Sequence, residues 1–257
     1  MLCKTFDRDL RKIYDKDRYE YSPKKDGTRC WAYFDGKGIT KLINRRNYDI
    51  LYKYPELKKL NIKNAVIDGE LCCKDFATLM SREHSQNTLR IDLMSREYPV
   101  IFYGFDILEY NGKDLTKLTL TERKEYLSIF KEFENENFKI LEYTDSLDIA
   151  MGWLKDNEGI VLKDKNSKYE KGVRSHNWLK YKNRIRQKIK FDGYEYNKDG
   201  SLTLINGFNR VKCNKPLLEI VKKDIDSKGF ANCEVEGLEI TANGHIRFPI
   251  LQRVINN

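Results

Sequence analysis

Apolar and polar residues alternate along RCWAYFDGKGITKLIN, and the alternation breaks once, at Asp35-Gly36-Lys37-Gly38. A two-residue period interrupted by such a cluster predicts a β-hairpin. NAVIDGELCC and YPVIFYGFDILEY are dense in Val, Ile, Phe and Tyr and predict buried strands, as do the shorter EGIVLKD and HNWLKYKN. Between them, LTLTERKEYLSIFKEF carries apolar residues at helical spacing behind a threonine, with Glu122 and Arg123 in its first turn. SLDIAMGWLKDN predicts a second helix ending near Asn157.

The pattern changes after Lys182. NRIRQKI is basic and has no apolar period, so it reads as a linker, and the chain divides into residues 1–184 and 185–257. The second part predicts strands in KIKFDGYEYN, SLTLING and RVKCN. A helix follows over PLLEIVKKDIDSKG, with Pro216 in its first turn and Gly229 at its end. NCEVEGLEITANGHIRFPIL then predicts a hairpin turned at Asn243-Gly244. Five short strands and one helix suit a small β-barrel such as an OB-fold, and an SH3-like barrel fits these signals nearly as well. The expected class is α+β.

At 257 residues with 40% hydrophobic content, the chain can bury a core. No stretch approaches 18 apolar residues, so no membrane span is expected. The N-terminus is charged throughout and lacks an apolar signal core, which predicts a cytoplasmic, unsecreted protein. Six cysteines without CxxC pairs predict free thiols. His84, His176 and His245 are scattered without ligand spacing, and the MSRE repeated at Met80 and Met94 is too short to signal a duplication. The net charge of +9 favours a nucleic-acid partner, although abundant Lys, Asn, Ile and Tyr also fit an AT-rich codon bias.

Candidate chemistry starts at YSPKKDGTRCW. Lys24 and Lys25 follow a proline in what reads as a stiff turn, beside Asp26, Gly27 and Arg29. Lys-Asp-Gly is ordinary turn chemistry. A lysine crowded by cations is also a candidate nucleophile. Elsewhere, Glu70, Glu158, Lys163, Lys180 and Lys182 sit inside otherwise apolar strands, where a charge is costly unless paired or bound to a ligand. Together they predict a polar site lined by several strands.

In order, KKDGTR, NRRNYDI, IDGE, FDIL, EGIVLKD and YEKGVRSHNWLKYK resemble the motifs of the covalent nucleotidyltransferases, and most closely the small ATP-dependent DNA ligases of viral or phage type. The resemblance covers Leu2 to about Lys182 and is thinner beyond. It implies an adenylation domain of antiparallel sheets with flanking helices, followed by an OB-fold. It implies a nick-sealing enzyme that uses ATP with Mg2+ or Mn2+, binds nicked duplex DNA as a monomer, and serves DNA repair, replication or recombination. Lys24, the lysine with Asp and Gly at the family's offsets, is implied as the nucleophile that carries AMP, and Lys25 as a bystander. Nearby positive charge is expected to lower the pKa of the attacking amine, supplied by Arg29, Lys180, Lys182 and a divalent metal.

The other roles carry over in the same way. Ser22 is implied at the adenine, and Phe105 as the ring that stacks on it. Arg29 and Glu70 are implied at the ribose or phosphate, and Arg46 at AMP or the nick 5′-phosphate, with Arg45 beside it leaving the register open. Glu158 and Glu70 are implied at the metal, and Arg174, Lys180 and Lys182 at the α-phosphate. Trp178 reads as a packing residue. In RFPILQRVINN the family's last motif keeps Arg247 and Arg253, which are expected to orient the pyrophosphate in place of the later basic groups. No further N-terminal DNA-binding domain is read. The competing readings are an RNA ligase, an mRNA-capping guanylyltransferase, and a basic nucleic-acid-binding module with weak catalysis.

Overall fold

The computed structural model describes residues 1–6, 10–207, 209–238, 240–241 and 243–255. The chain forms two compact units, Met1–Tyr181 and the residues from Lys182 onward.

The first unit contains strands β1 (Leu2–Thr5), β2 (Tyr19–Lys24), β3 (Thr28–Phe34), β4 (Ile39–Asn44), β5 (Ala65–Cys72), β6 (Ile101–Tyr110), β7 (Lys113–Asp114), β8 (Phe138–Ile140), β9 (Gly159–Asp164) and β10 (Arg174–Lys182). Its helices are α1 (Phe76–His84), α2 (Thr88–Glu97), α3 (Leu120–Ser128) and α4 (Leu147–Gly152). One sheet has the order β4-β3-β5-β6-β7, with β8 also paired to β6, and the other has the order β1-β10-β9-β2. The sheets are mixed rather than purely antiparallel, because β1 runs parallel to β10 and β8 parallel to β6. A buried cluster including Leu42, Ile67, Phe102, Ile107 and Phe138 lies against the larger sheet.

The alternating segments form strands where expected, and the hairpin turns at Asp35–Gly38, where the Asp35 carboxylate accepts the backbone N–H groups of Lys37 and Gly38. Thr119 caps α3 through a reciprocal box with Glu122. The expected second helix is shorter: α4 ends at Gly152 and continues as a 3₁₀ turn to Lys155. Several elements were not evident in the pattern, β1, β7 and β8 among them. α1 and α2 are polar helices begun by the side-chain caps Asp75 and Asn87. Another is β2. Lys24 is its last residue, so the lysine extends from a strand and the turn occupies only the residues after it.

The second unit holds β11 (Ile185–Phe191), β12 (Gly193–Tyr196), β13 (Leu202–Asn206), β14 (Asn209–Cys213), α5 (Lys215–Lys228), β15 (Ala231–Gly237) and β16 (Ile250–Val254). They form two three-stranded sheets, β11-β15-β16 and β12-β13-β14. The expected linker is largely strand: β11 begins at Ile185 and pairs along its length with β15, whose ladder satisfies the backbone that NRIRQKI's missing apolar period left unassigned. α5 ends at Gly229 in the left-handed conformation (φ 77°), with the Gly229 N–H bonded to Ile225 O at 2.9 Å. The final hairpin opens into a wide connection between β15 and β16, narrowed by a bridge between Ile240 and Ile246. Glu239 and Ala242 of that hairpin, and the terminal Asn256 and Asn257, lie outside the described residues.

Candidate active site

Strand pairing creates the centre of the site. β2 and β9 run antiparallel, with Lys24 opposite Gly159, and the Glu158 N–H bonds to Lys24 O at 3.1 Å. This register brings the Lys24 ammonium onto the Glu158 carboxylate, a hydrogen-bonded ion pair. The alternation of β2 sets Glu20, Ser22 and Lys24 on one face, opposite Lys163, Val161 and Gly159 of β9. Lys25 takes a different contact, its ammonium lying 5.1 Å from the centre of the Tyr103 ring.

Gly27 explains why the motif needs glycine. A Cβ there would lie 2.2 Å from Leu71 O, so only glycine lets β3 begin this close to the end of β5. Gly69 is as tightly constrained, since a Cβ would meet the Phe102 ring at 2.4 Å.

A cavity of about 190 Å³ opens over this face. Ser22, Lys24, Arg29, Glu70, Phe105, Arg174 and Lys180 line it, together with Lys25, Arg45, Lys163, Trp178 and residues of β1. Most of the residues singled out in the sequence therefore converge on one cavity. Arg46 is not among the lining residues: it and Arg45 are both exposed in the turn after β4, and Arg45, one residue nearer the strand end, borders the cavity. Glu158 joins the site through Lys24. Lys182, Arg247 and Arg253 belong to the second unit. There, Arg253 pairs with Glu234 at 3.0 Å, and the Lys182 and Arg247 cations lie 5.5 and 5.3 Å from the Phe248 ring.

Electrostatics correct one expectation. Burial pulls the Lys24 pKa down, but the charges of Glu158 and then Glu70 outweigh it and hold the pKa above the ordinary 10.5. The amine is therefore kept as an ammonium rather than poised neutral, because its nearest charged neighbours are carboxylates and not cations. Glu70 shifts strongly. Burial raises its pKa to about 7, against the opposing pull of Lys24 and Arg29.

Arg29 is a wall of the site more than a free phosphate ligand. Its guanidinium grips the buried Asp68 carboxylate through Nε at 2.9 Å and a second nitrogen at 2.5 Å, and it also donates to Met1 O. The Tyr169 hydroxyl donates to the same carboxylate at 2.7 Å. Asp68 and Tyr169 are thus supports that motif reading passed over. A carboxylate inside the apolar run AVIDGE was a usable signal for Asp68. Tyr169 opens the motif YEKGVRSHNWLKYK, but nothing in the spacing marks its hydroxyl as a partner of Asp68; it arrives from the loop between β9 and β10.

Phe105 is 8% exposed and lines the cavity, with its ring edge-to-face against Trp178 at 6.1 Å. Ser22 is buried, and its hydroxyl has no protein partner, which leaves a polar atom available at the cavity wall. No cluster of three or more His, Cys, Asp or Glu residues suited to a metal occurs among the described residues. A magnesium-type ion commonly takes only one or two protein carboxylates plus phosphate oxygens, and Glu70 and Glu158, both beside Lys24, suit that donor set. No helix among the described residues is long and apolar enough to cross a membrane.

Comparison with known proteins places this geometry. The family described as ATP dependent DNA ligase domain matches residues 1–182. The SPbeta prophage-derived DNA ligase-like protein LigB of Bacillus subtilis is 31% identical over 196 residues, which covers 72% of this chain and 68% of that protein. A DNA ligase of Pyrobaculum islandicum is 29% identical over 182 residues, covering 62% of this chain but only 30% of its own length. The ligase domain of M. tuberculosis LigD shares the fold, with a TM-score of 0.61 at 19% identity, covering 99% of this chain and 94% of that one.

Proposed function

Because the chain belongs to the ATP-dependent DNA ligase domain family, we propose that it seals nicks in duplex DNA through an AMP carried on Lys24. The observation that carries this reading is the Lys24–Glu158 pair at the mouth of a cavity shared with Glu70, Phe105 and Lys180. In the first step the Lys24 Nζ lone pair forms a bond to the α-phosphorus of ATP, and the bond from that phosphorus to the pyrophosphate oxygen breaks. Glu158, already hydrogen-bonded to Nζ, is placed to take the proton the amine gives up. AMP then passes to the 5′-phosphate of the nick, and the 3′-hydroxyl displaces it.

The remaining roles follow from position. Ser22 and Phe105 hold the adenine, with the ring supplying a stacking face. Lys180 and Arg174 approach the α-phosphate, and Lys182 contributes from the end of the same strand. Arg45, rather than Arg46, meets AMP or the nick phosphate. Glu158 and Glu70 would hold Mg2+ or Mn2+, which would neutralise phosphate charge when bound. The second unit acts as an OB-fold, and its Arg247 and Arg253 orient the leaving pyrophosphate. Net charge of +9 suits a partner as anionic as nicked DNA. The protein acts as a monomer in the cytoplasm.

The test is covalent labelling. Incubation with α-labelled ATP and denaturing electrophoresis should leave label on the wild type and on Lys25→Ala, and none on Lys24→Ala. Label from GTP in place of ATP would point to a capping enzyme, and absence of label from either to a binding module. A labelled enzyme that joins nicked RNA but not nicked DNA would be an RNA ligase.

A further inference from the structure

β6 pairs with β5 in an interrupted register. Gly69 faces Gly104 and Asp68 faces Asp106, so the ladder passes over Phe105. Phe105 is the extra residue of a β-bulge, a device that bends a strand and redirects one side chain. Here the redirected ring forms part of the cavity wall. The Phe105 carbonyl, at the point where the ladder slips, accepts a hydrogen bond from the Lys163 ammonium at 3.2 Å.

Lys163 reaches this carbonyl from β9, opposite Glu20, and is 2% exposed. Its ammonium also lies 4.5 Å from the centre of the Phe105 ring and 4.4 Å from that of Trp178. One cation therefore contacts the backbone and the ring of Phe105 and the aromatic that braces it. Burying such a cation is expensive. Burial lowers its pKa to about 8, with Lys124 acting in the same direction and Glu20 and Asp106 opposing. The two nearby carboxylates have other partners, since Asp106 is gripped by Arg123 and Glu20 faces Lys124 at 3.2 Å. A methionine or leucine in this position would fill the space without desolvating a charge. The lysine is explained by what it holds.

We propose that Lys163 is a positioning residue for the nucleobase: it fixes the bulge in β6 so that the Phe105 ring presents its face to the adenine. This rests on the reading of the cavity as the nucleotide site, and it assigns to Lys163 no contact with the reacting phosphate. Without the ammonium, the Phe105 carbonyl loses its buried donor and the bulge can relax toward regular pairing, carrying the ring out of the cavity wall.

The experiment measures the rate of covalent labelling against ATP concentration for the wild type, Lys163→Met, Lys163→Gln and Leu162→Ala. Lys163→Met should raise the half-saturating ATP concentration roughly tenfold or more, the scale of one lost base-stacking contact, with the plateau rate much less affected. Lys163→Gln keeps an N–H donor without the charge and should recover most of that loss. Leu162→Ala removes a buried side chain of the neighbouring cluster. It should lower the melting temperature and leave the half-saturating concentration in place. The proposal is overturned if Lys163→Met or, should that variant not fold, Lys163→Gln takes ATP at the wild-type half-saturating concentration. It is equally overturned if Leu162→Ala shifts that concentration as far as Lys163→Met does, because the effect would then be general loosening. Failure of the wild type to label at all would instead sink the nucleotide-site reading.

Discussion

Glu70 carries the most consequential single-residue shift in the site. Its carboxyl ionises near pH 7 in the folded chain, against an ordinary value of 4.5, because burial penalises the charged form more than Lys24 and Arg29 favour it. The folded state thus holds a proton that the unfolded chain gives up earlier. Stability is full below pH 4.5 and falls as pH rises toward 7. Glu70→Gln has nothing to titrate and should escape this loss. Urea denaturation of both proteins at several pH values should show the wild type losing about 2 kcal/mol relative to Glu70→Gln across that window. A pH-independent difference between them would mean that Glu70 is already ionised in the folded protein. A divalent cation at Glu70 should stabilise the wild type more than the variant, most visibly above pH 7, where the folded carboxylate is ionised.

Buried ion pairs, as well as apolar packing, connect the elements. Arg123 on α3 is fully buried and grips Asp106 of β6 through two nitrogens, at 2.8 and 2.9 Å. A further nitrogen donates to Leu118 O and to Ser167 O, tying the helix start to the segment that follows β9. Every contact at that guanidinium crosses between elements, so the pair sets where α3 sits behind the bulged strand. Arg123→Met would leave the Asp106 carboxylate buried beside an apolar chain, a change that costs about 3–5 kcal/mol. Thermal unfolding should show this as a large drop in melting temperature. The paired variant Arg123→Met with Asp106→Leu should recover a substantial part of it, since no unpaired charge then remains. If the double variant is no better than the single one, the hydrogen bonds to Leu118 and Ser167 matter more than the ion pair.

At the scale of the whole molecule, the proposed reaction draws on residues of both units. The cavity is lined by the first unit, while Arg247 and Arg253 belong to the second. Pyrophosphate leaves only when Lys24 takes AMP from ATP, and sealing of DNA that already carries AMP involves none. Replacing both arginines by alanine should therefore slow self-labelling by orders of magnitude, each lost charge-assisted contact being worth about 3 kcal/mol. Sealing of a pre-adenylated nick should change little. Equal loss in both assays would mean that the arginines grip DNA or brace the fold. Arg253 is already engaged by Glu234, so Glu234→Gln is the control that separates bracing from pyrophosphate contact.

The sequence alone determined most of the strand segments, the order of the motifs and the residue types that chemistry requires. Those depend on local alternation and on short fixed offsets, such as Lys24 with Asp26 and Gly27. Even the identity of Gly27 was legible there, although its reason, the Leu71 carbonyl 2.2 Å from where a Cβ would stand, was not. What only the tertiary structure decided is long-range and depends on register. That Arg45 rather than Arg46 borders the cavity depends on the turn after β4, where both side chains are exposed. The pKa of Lys24 depends on Glu158, brought to it by strand pairing across more than a hundred residues, and on Glu70 of β5, which together hold it above 10.5 against burial. The support of Arg29 by Tyr169, and of Phe105 by Lys163, comes from a loop and a strand far along the chain. No period or spacing records such contacts, since each exists only when the two sheets have closed over a common cavity.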